Sequence, residues 1–200
     1  MGRTEKSLPK GKSHRTNTMI FVTTGTHEQP FDRLVKGIDQ LKKENVIKED
    51  VYIQTGYSIY KPKFCEYSEF IDFNEMKKKV KNPRITITHG GPASIMLVLY
   101  RGKIPIVVPR QQKHQEHVDD HQVYFCRRFE EKGKIIAVYN IEEIKHRIMD
   151  YDELASILMS KKKEEIDPKE KLLKFTKALD KICIDLTKSK EKKLDTHQQD

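Results

Sequence analysis

Apolar positions between residues 19 and 160 fall into two alternating patterns. Short runs of β-branched and aromatic residues are typical of buried strands, and they occur at residues 19–24, 51–55, 84–88, 106–108 and 135–138. Residues 63–71 fit a strand followed by a turn less clearly. These runs predict the strands of one sheet.

Between the runs, apolar residues recur at helical spacing. The clearest stripe is formed by Phe31, Leu34, Val35, Ile38 and Leu41. Pro30 suits the first turn of that helix. The pattern predicts helices at residues 31–41, 74–80, 92–101, 116–132, 141–149 and 152–159, with 116–132 the longest.

This alternation predicts an α/β fold, a Rossmann-like parallel sheet with helices on both faces. In such sheets ligands bind outside the carboxyl ends of the strands. The chemistry is therefore expected in the loops after Thr24, Thr88 and Pro109.

Three segments are expected: a flexible polar leader at 1–18, one domain at 19–160, and a basic amphipathic helix and tail at 161–200. The apolar residues of the last segment predict a helix over 168–186. Such a helix either packs across its own domain or covers a partner subunit.

Charge separates the ends of the chain from its body. The net charge is +9, and residues 1–18 and 161–200 contribute +4 and +3 of it. The nearly neutral body argues against nucleic acid as a partner, since nucleic-acid binders cluster Lys and Arg on a folded face. Basic ends could instead favour an anionic membrane surface.

Targeting signals and cysteine motifs are missing from the sequence. No apolar run reaches the length of a membrane span, and nothing resembles a signal peptide. The cysteines, Cys65, Cys126 and Cys183, are widely spaced and odd in number. They fit a reducing cytoplasm and no zinc-binding spacing.

The loops after the first and fourth strands combine glycines with polar side chains. Gly25, Thr26, His27 and Glu28 follow the first strand, and the fourth is followed by His89, Gly90, Gly91, Pro92 and Ser94. Glycines let a backbone approach a ligand closely, and free N–H groups at a helix start bind anions such as a diphosphate. His27 and Glu28 are candidates for a general base, although Glu28 could simply complement the positive end of the next helix.

The loop after the fifth strand is rich in histidine. Its candidate ligand-binding residues are Arg110, Glu116, His117, Asp120, His121 and Gln122. His117 and His121, four residues apart, also suggest a zinc hydrolase, with His114, Asp119 and Asp120 close by in the sequence. No H-E-x-x-H motif supplies a fixed set of ligands, however. We therefore rank a polar-ligand site above a metal site and expect no metal.

Four segments together resemble a known group of enzymes. They read I-F-V-T-T-G-T-H-E-Q-P-F-D-R-L-V at 20–35, V-Y-I-Q-T-G-Y-S at 51–58, I-T-H-G-G-P-A-S at 87–94 and P-I-V-V-P-R-Q-Q-K-H-Q-E-H-V-D-D-H-Q at 105–122. They resemble the small catalytic subunits of two-part glycosyltransferases of capsule and exopolysaccharide synthesis. These are similar to the soluble subunit of the dolichol-linked N-acetylglucosaminyltransferase and to the C-terminal half of MurG, in glycosyltransferase family 28. The resemblance covers about residues 19–150.

The resemblance implies the nucleotide-binding half of a glycosyltransferase-B fold. It implies that a UDP-sugar is the donor with no further cofactor, and that a membrane-anchored partner subunit brings a polyprenyl-diphosphate-linked acceptor. The chain would then be cytoplasmic, held at the inner face of the cell membrane through that partner. Transfer would be inverting and independent of metal; a non-catalytic UDP-sugar-binding accessory subunit is the alternative.

Residue roles carry over by position. Gly25, Thr26 and His27 match the loop that faces the diphosphate, and His89, Gly90, Gly91 and Ser94 match the signature loop under the nucleotide. Asp120, His121 and Gln122 match the segment that closes over the diphosphate and sugar. The family commonly has a ribose-binding glutamate three residues after the Ser94 position, where this chain has Leu97. Ribose would then be bound more weakly or from elsewhere, for which Glu116 is the candidate.

Overall fold

A single parallel sheet organises the chain, of which the computed structural model describes residues 19–163. The strands run in the order β3-β2-β1-β4-β5-β6, and every neighbouring pair is parallel. The strands are β1 Met19–Thr23, β2 Asp50–Gln54, β3 Glu66–Ser68, β4 Ile85–His89, β5 Ile106–Val108 and β6 Ile136–Ala137. The strand order reverses beside β1, which puts the loops after β1 and β4 side by side.

Helices connect successive strands or follow the last one. They are α1 Asp32–Lys43, α2 Phe73–Lys81, α3 Pro92–Leu99, α4 His121–Glu131, α5 Ile144–Met149 and α6 Tyr151–Lys163, with short 3₁₀ turns at Gln112–His114 and Ile141–Glu143. None of the helices in the described part is long and apolar enough to cross a bilayer.

Apolar side chains project from both faces of the sheet and pack against helices. On one face, Ile20 and Val22 of β1 pack in a cluster with residues of α1, α5 and α6. On the other face, Phe21 joins Val80 of α2 and Val98 of α3. The predicted α/β sheet with helices on both faces is therefore confirmed.

The connection from β2 to β3 is anchored by an acid of α1. Asp39 is 1% exposed and its carboxylate accepts hydrogen bonds from the Tyr60 hydroxyl at 2.7 Å, the Lys63 amide at 2.9 Å and the Phe64 amide at 2.8 Å. Burial alone would raise the pKa of Asp39, but these hydrogen bonds outweigh it and the pKa is lowered. Asp39 is therefore a buried anion that fixes the loop.

An ionic cluster lies at the amino edge of the sheet, opposite the loops of interest. Arg84, just before β4, pairs with Glu49, just before β2, and its Nη1 donates to Asp152 of α6 at 2.9 Å. Tyr151 donates to the Ile104 carbonyl oxygen at 2.8 Å. These contacts tie α6 to the amino ends of the strands.

The predicted helix over 116–132 is wrong in its first part. Gln112–His114 forms a 3₁₀ turn, Gln115 takes a left-handed conformation with φ of 57°, and the helix begins only at His121. Glu116 is buried in the loop, where its carboxylate binds charged and backbone donors. These contacts, which link distant parts of the chain, outweigh the helical pattern of residues 116–120.

Smaller differences concern helix ends. Pro30 lies before the first turn of α1, whose N-cap is Phe31. Helix α3 ends at Leu99 rather than at 101, and Gly102 follows with φ of 73°. α1 and α6 are both longer than α4. The leader at 1–18 and the helix expected over 168–186 lie outside the described residues.

Candidate functional site

Three loops meet at the carboxyl edge of the sheet. They follow β1, β4 and β5, which are neighbours in the sheet with Thr23 paired to Thr88 and His89 paired to Val108. The structure thus brings together the three predicted segments, as the rule for parallel sheets requires.

His89 lies between two glycines at this edge. A Cβ added to Gly25 would come within 2.6 Å of His89 Nε2, and one added to Gly91 within 2.2 Å of the same atom. Gly25 also has φ of 78°, a conformation that favours glycine. Both glycines are therefore required by the imidazole, which sets the spacing between the first and second loops.

The imidazole of His89 is neutral at physiological pH. Burial lowers the pKa of His89 to about 4, and the nearby positive charge of Arg110 acts in the same direction. His89 therefore acts as a neutral wedge between the loops, with no charge of its own.

The N-terminus of α3 faces the same edge. Its N-cap, Gly91, supplies no side-chain hydrogen bond, and Pro92 occupies the start of the helix. Pro92 and Ala93 are exposed and Ser94 is partly exposed. The helix start carries partial positive charge and unpaired N–H groups, which suits an anion.

Gly90 and Gln122 hold α4 against this loop. A Cβ on Gly90 would lie 2.8 Å from Gln122 Cβ, and the buried Gln122 accepts a hydrogen bond from the Arg110 amide at 3.2 Å. Gln122 was expected to contact the ligand, and the structure places it between the second and third loops.

Imidazole rings join the first and third loops. His27 stacks on His117 with ring centroids 4.2 Å apart, and His121 meets His117 edge-on at 4.5 Å. His27 Nε2 lies 3.0 Å from Gln29 Oε1. Burial is the main cause that lowers the pKa of His117, and His27 and His121 add to it.

Thr26 and Glu28 project from the first loop as exposed side chains. Gln29, rather than Glu28, is the hydrogen-bond partner of His27. Asp32 supplies the acidic charge in the first turn of α1, a role that Glu28 was also considered for. Glu28 is thus free to face a ligand or an incoming group.

Arg110 is completely buried beneath these loops. Its guanidinium donates to the carbonyl oxygens of Gln29 at 2.6 Å, Glu116 at 3.0 Å and Thr24 at 2.9 Å. Burial lowers the pKa of Arg110 to about 10, partly offset by Glu116, so the group stays charged at neutral pH. The structure places Arg110 where it shapes two loops, away from their open surface.

Glu116 is likewise buried, at 3% exposure, and is paired with Arg33 of α1. Arg33 Nε and Nη2 donate to its two carboxylate oxygens at 2.8 and 2.9 Å, and the Gln111 amide donates at 3.1 Å. Arg33 also donates to the Pro109 carbonyl oxygen at 3.1 Å. These contacts engage both oxygens of the side chain considered for ribose.

Residues 119–121 form the rim of the third loop, where Asp119 and His121 are exposed and Asp120 is partly exposed. Asp120 accepts a hydrogen bond from the Gln112 amide at 2.8 Å, and Asp119 contacts both His117 and His121. His114 lies in the 3₁₀ turn and is exposed. Of the three histidines considered as metal ligands, the structure therefore brings His117 and His121 together, and the third residue of the cluster is Asp119 instead of His114.

Sequence reasoning missed Arg33 and Gln54. The amide of Gln54 donates to the Gly25 carbonyl oxygen at 3.0 Å and its oxygen accepts from Thr23, so it shapes the first loop from β2. The only sign of Arg33 in the sequence was that a charged residue stands next to Leu34, which belongs to the apolar stripe of the predicted helix. The partners of Arg33 and Gln54 are remote in sequence.

Leu97 packs against the apolar cluster beneath α3. An apolar residue there extends the core, at the position where the resemblance leads one to expect a ribose-binding glutamate. Chemically, the edge offers a helix start for an anion, a positioned imidazole at His27 and an exposed carboxylate at Glu28.

Comparisons with solved structures show the fold. The chain aligns with the glycotransferase of kitacinnamycin at a TM-score of 0.56 and 13% identity, covering 82% of this chain and 43% of that one. It aligns with MurG of Acinetobacter baumannii at 0.51 and 13%, covering 74% and 45%, and with the spinosyn forosaminyltransferase SpnP at 0.51 and 12%, covering 87% and 47%. The chain thus spans less than half the length of each.

A search of curated proteins finds no match to the chain. The sequence profile of the glycosyltransferase family 28 C-terminal domain matches residues 19–182, which includes every loop described above. The chain belongs to the glycosyltransferase family 28 C-terminal domain family.

Proposed function

We propose that this chain is the catalytic, nucleotide-sugar-binding subunit of a two-part glycosyltransferase. It transfers a hexose from a UDP-sugar to a polyprenyl-diphosphate-linked sugar in capsule or exopolysaccharide synthesis. Family membership supports sugar transfer, and the resemblance of the loop sequences supports the donor, acceptor and pathway.

The observation that carries the proposal is the uncapped N-terminus of α3 between the glycine-rich loops. The start of the helix at Gly91 and Pro92 is open, and no side chain caps it. A diphosphate would accept hydrogen bonds from the free amides and gain from the helix dipole. By contrast, Asp72 already accepts from the Asn74 and Glu75 amides at the start of α2.

A second subunit is supported by the resemblance of the loop sequences to two-part enzymes; the chain itself aligns with less than half of each glycosyltransferase named above. That subunit would be membrane-anchored and would present the lipid-linked acceptor. The complex would then lie on the cytoplasmic side of the cell membrane, with this chain attached through its partner.

The mechanism follows from the groups at the edge. His27 or Glu28 takes the proton of the acceptor hydroxyl as its oxygen attacks the anomeric carbon, and the bond to the UDP oxygen breaks with inversion. The amides at the start of α3 stabilise the negative charge that gathers on the departing diphosphate. No metal ion is required for this step.

Calorimetric titration of the purified chain tests the donor site. UDP is titrated first, then UDP-galactose, UDP-glucuronic acid and UDP-N-acetylglucosamine, each with and without EDTA. We expect binding that EDTA does not change and a preference for one sugar. Absence of binding, both to the chain and to its complex with the partner, would overturn the proposal.

A matched pair of variants locates the diphosphate. Ala93→Asp places a carboxylate in the open first turn of α3, and Asn74→Asp makes the same charge change in the first turn of α2. Repulsion at α3 should weaken UDP binding by roughly tenfold or more, since anion binding there is electrostatic. Equal effects of the two substitutions would argue against this placement.

The alternative is an accessory subunit that binds the UDP-sugar without catalysing transfer. It is favoured by the absence of a hydrogen bond between His27 and Glu28, since Gln29 contacts His27 instead. Unchanged turnover by His27→Ala and Glu28→Ala complexes would support this alternative, whereas loss of turnover with donor binding retained would support catalysis.

A further inference from the structure

The rim of the third loop brings together nitrogen and oxygen ligands from three residues. The candidate ligand atoms of His117, Asp119 and His121 all lie within 4.8 Å of one another. His117 Nδ1 is 3.3 Å from Asp119 Oδ1, and His121 Nδ1 contacts the same oxygen. The carboxylate thus lies against both imidazoles.

We propose that His117, Asp119 and His121 form a binding site for a transition-metal ion of the Zn²⁺ class. Tetrahedral zinc with bonds of about 2.0–2.2 Å separates its ligand atoms by about 3.3–3.6 Å. The side chains therefore need to shift by only roughly 1 Å to enclose an ion.

The exposure of two of the ligands leaves room for this adjustment. The side chains of Asp119 and His121 are 58% and 52% exposed, whereas that of His117 is only 11% exposed. His27 stacks on the His117 ring and orients it. His117 is thus the fixed ligand, around which the other two can close.

The environment of His117 favours a metal ligand. Its Nδ1 is buried and forms no hydrogen bond with any described residue. A metal ion would bind this buried nitrogen, whose contact with Asp119 Oδ1 at 3.3 Å is not a hydrogen bond.

The donor set determines which ions fit. Two imidazoles and one carboxylate suit Zn²⁺, Co²⁺ and Ni²⁺, whereas Mg²⁺ prefers oxygen ligands and an octahedral shell. The exposed side of Asp119 and His121 leaves a fourth position for water. This site differs from a magnesium site that would neutralise a diphosphate.

The inference does not depend on the proposed function, because the ion is held by the chain alone. The two proposals do share His117 and His121, so bound metal and bound donor are expected to compete. The cobalt experiment is therefore performed without nucleotide, and the donor titration uses chain from which metal has been removed beforehand, so that EDTA has no ion to remove there.

Cobalt titration of the full chain tests the site. Four-coordinate Co²⁺ absorbs visible light far more strongly than hydrated Co²⁺, so binding is read directly from the spectrum. We expect one equivalent of Co²⁺ to bind with strong absorption, Zn²⁺ to displace it, and Mg²⁺ to have no effect.

Variants assign the ligands. Asp119→Asn and His121→Ala should weaken Co²⁺ binding by roughly tenfold or more. His114→Ala removes an exposed imidazole of the same loop and should leave binding within about twofold of the parent, as it lies outside the cluster. Unchanged binding in the first two variants, or an equal loss in the third, would overturn the proposal.

Two further readouts separate this site from metal binding by the unfolded chain or by cysteine. Zn²⁺ should raise the melting temperature of the parent and of His114→Ala but not that of Asp119→Asn, because only a native-state ligand stabilises the fold. A thiolate-to-cobalt charge-transfer band would show binding by cysteine and refute the assignment. No absorption up to millimolar Co²⁺ would refute it as well.

Discussion

His27 and His117 stack with their ring centroids 4.2 Å apart and their planes 13° from parallel. His27 follows β1 and His117 follows β5, so this contact links two loops remote in sequence. It holds the imidazole that we propose as the general base in one orientation, together with the Gln29 contact at 3.0 Å. Glu28 has no such support.

Catalysis should therefore depend more on His27 than on Glu28. We expect His27→Ala to lower kcat by about 10²–10⁴, as for other lost general bases, with little change in UDP affinity. Glu28→Gln should have a smaller effect. Sugar transfer by the complex with its partner is measured over a range of donor concentrations. A larger loss of kcat with Glu28→Gln than with His27→Ala would assign the general base to Glu28.

Gly25 should tolerate no side chain, because His89 occupies the space. Gly25→Ala combines the left-handed backbone with a Cβ only 2.5 Å from His89 Cε1. Gly102→Ala is the matched control, as Gly102 has φ of 73° and nothing within 4 Å of an added Cβ.

Both substitutions should cost about 1–2 kcal/mol for the backbone. Gly25→Ala should cost a further 1–3 kcal/mol or so for overpacking. Denaturant unfolding measures the difference, and His89→Ala introduced with Gly25→Ala should recover part of it. Equal costs at the two glycines would contradict the wedge role of His89.

Glu116 should contribute more to the stability of the fold than to ribose binding. Glu116→Ala leaves the largely buried Arg33 without its partner, and breaking such a pair costs about 3–5 kcal/mol. Arg33→Ala should destabilise the chain to a comparable degree. Chemical unfolding of both variants provides the measurement.

Nucleotide affinity separates the two roles of Glu116. If its carboxylate binds ribose, Arg33→Ala leaves that group in place and should retain UDP binding that Glu116→Ala loses. We expect instead that both variants weaken UDP binding alike, because each removes the Arg33–Glu116 contact that holds the third loop in place.

Asp39 should make the free energy of unfolding depend on pH in the acid range. Its pKa is lower in the folded chain than in the unfolded chain, so its contribution is present at neutral pH and decreases as pH falls through the folded value. Asp39→Asn should cost about 1–3 kcal/mol at pH 7, since an NH₂ group replaces one of the two oxygens that accept from Tyr60, Lys63 and Phe64.

Urea unfolding of parent and variant measures this pH dependence. Their difference in free energy of unfolding should shrink from about pH 5 downward. Asp50→Asn, at an exposed position at the start of β2, serves as the control and should stay within about 0.5 kcal/mol at every pH. A difference that persists at low pH would contradict the assignment of a buried anion.

The sequence was sufficient for the sheet because the strands are buried on both sides. Residues such as Ile20, Phe21 and Val22 form unbroken apolar runs, and glycines and prolines mark their ends. The β-α alternation then leaves few possible arrangements. The positions of the three loops at one edge followed from the same rule.

The third loop could not be predicted in detail because its conformation depends on distant partners. Residues 116–120 carry a helical pattern, yet Arg33 withdraws Glu116 into the interior and Gln115 turns the backbone. Likewise, Arg110 was expected to contact the ligand. Only the folded chain shows that its guanidinium donates to three carbonyl oxygens of the loops. Buried ion pairs across the sheet leave no local pattern.

The ionic cluster at the amino edge also has a practical use. Arg84, Glu49 and Asp152 lie at the end of the strands opposite the candidate site. Labelling or surface immobilisation through exposed residues near Asp152 would leave the carboxyl edge accessible to titrants. In optical and sensor-based assays, attachment at the amino edge would therefore leave the candidate site facing the solution.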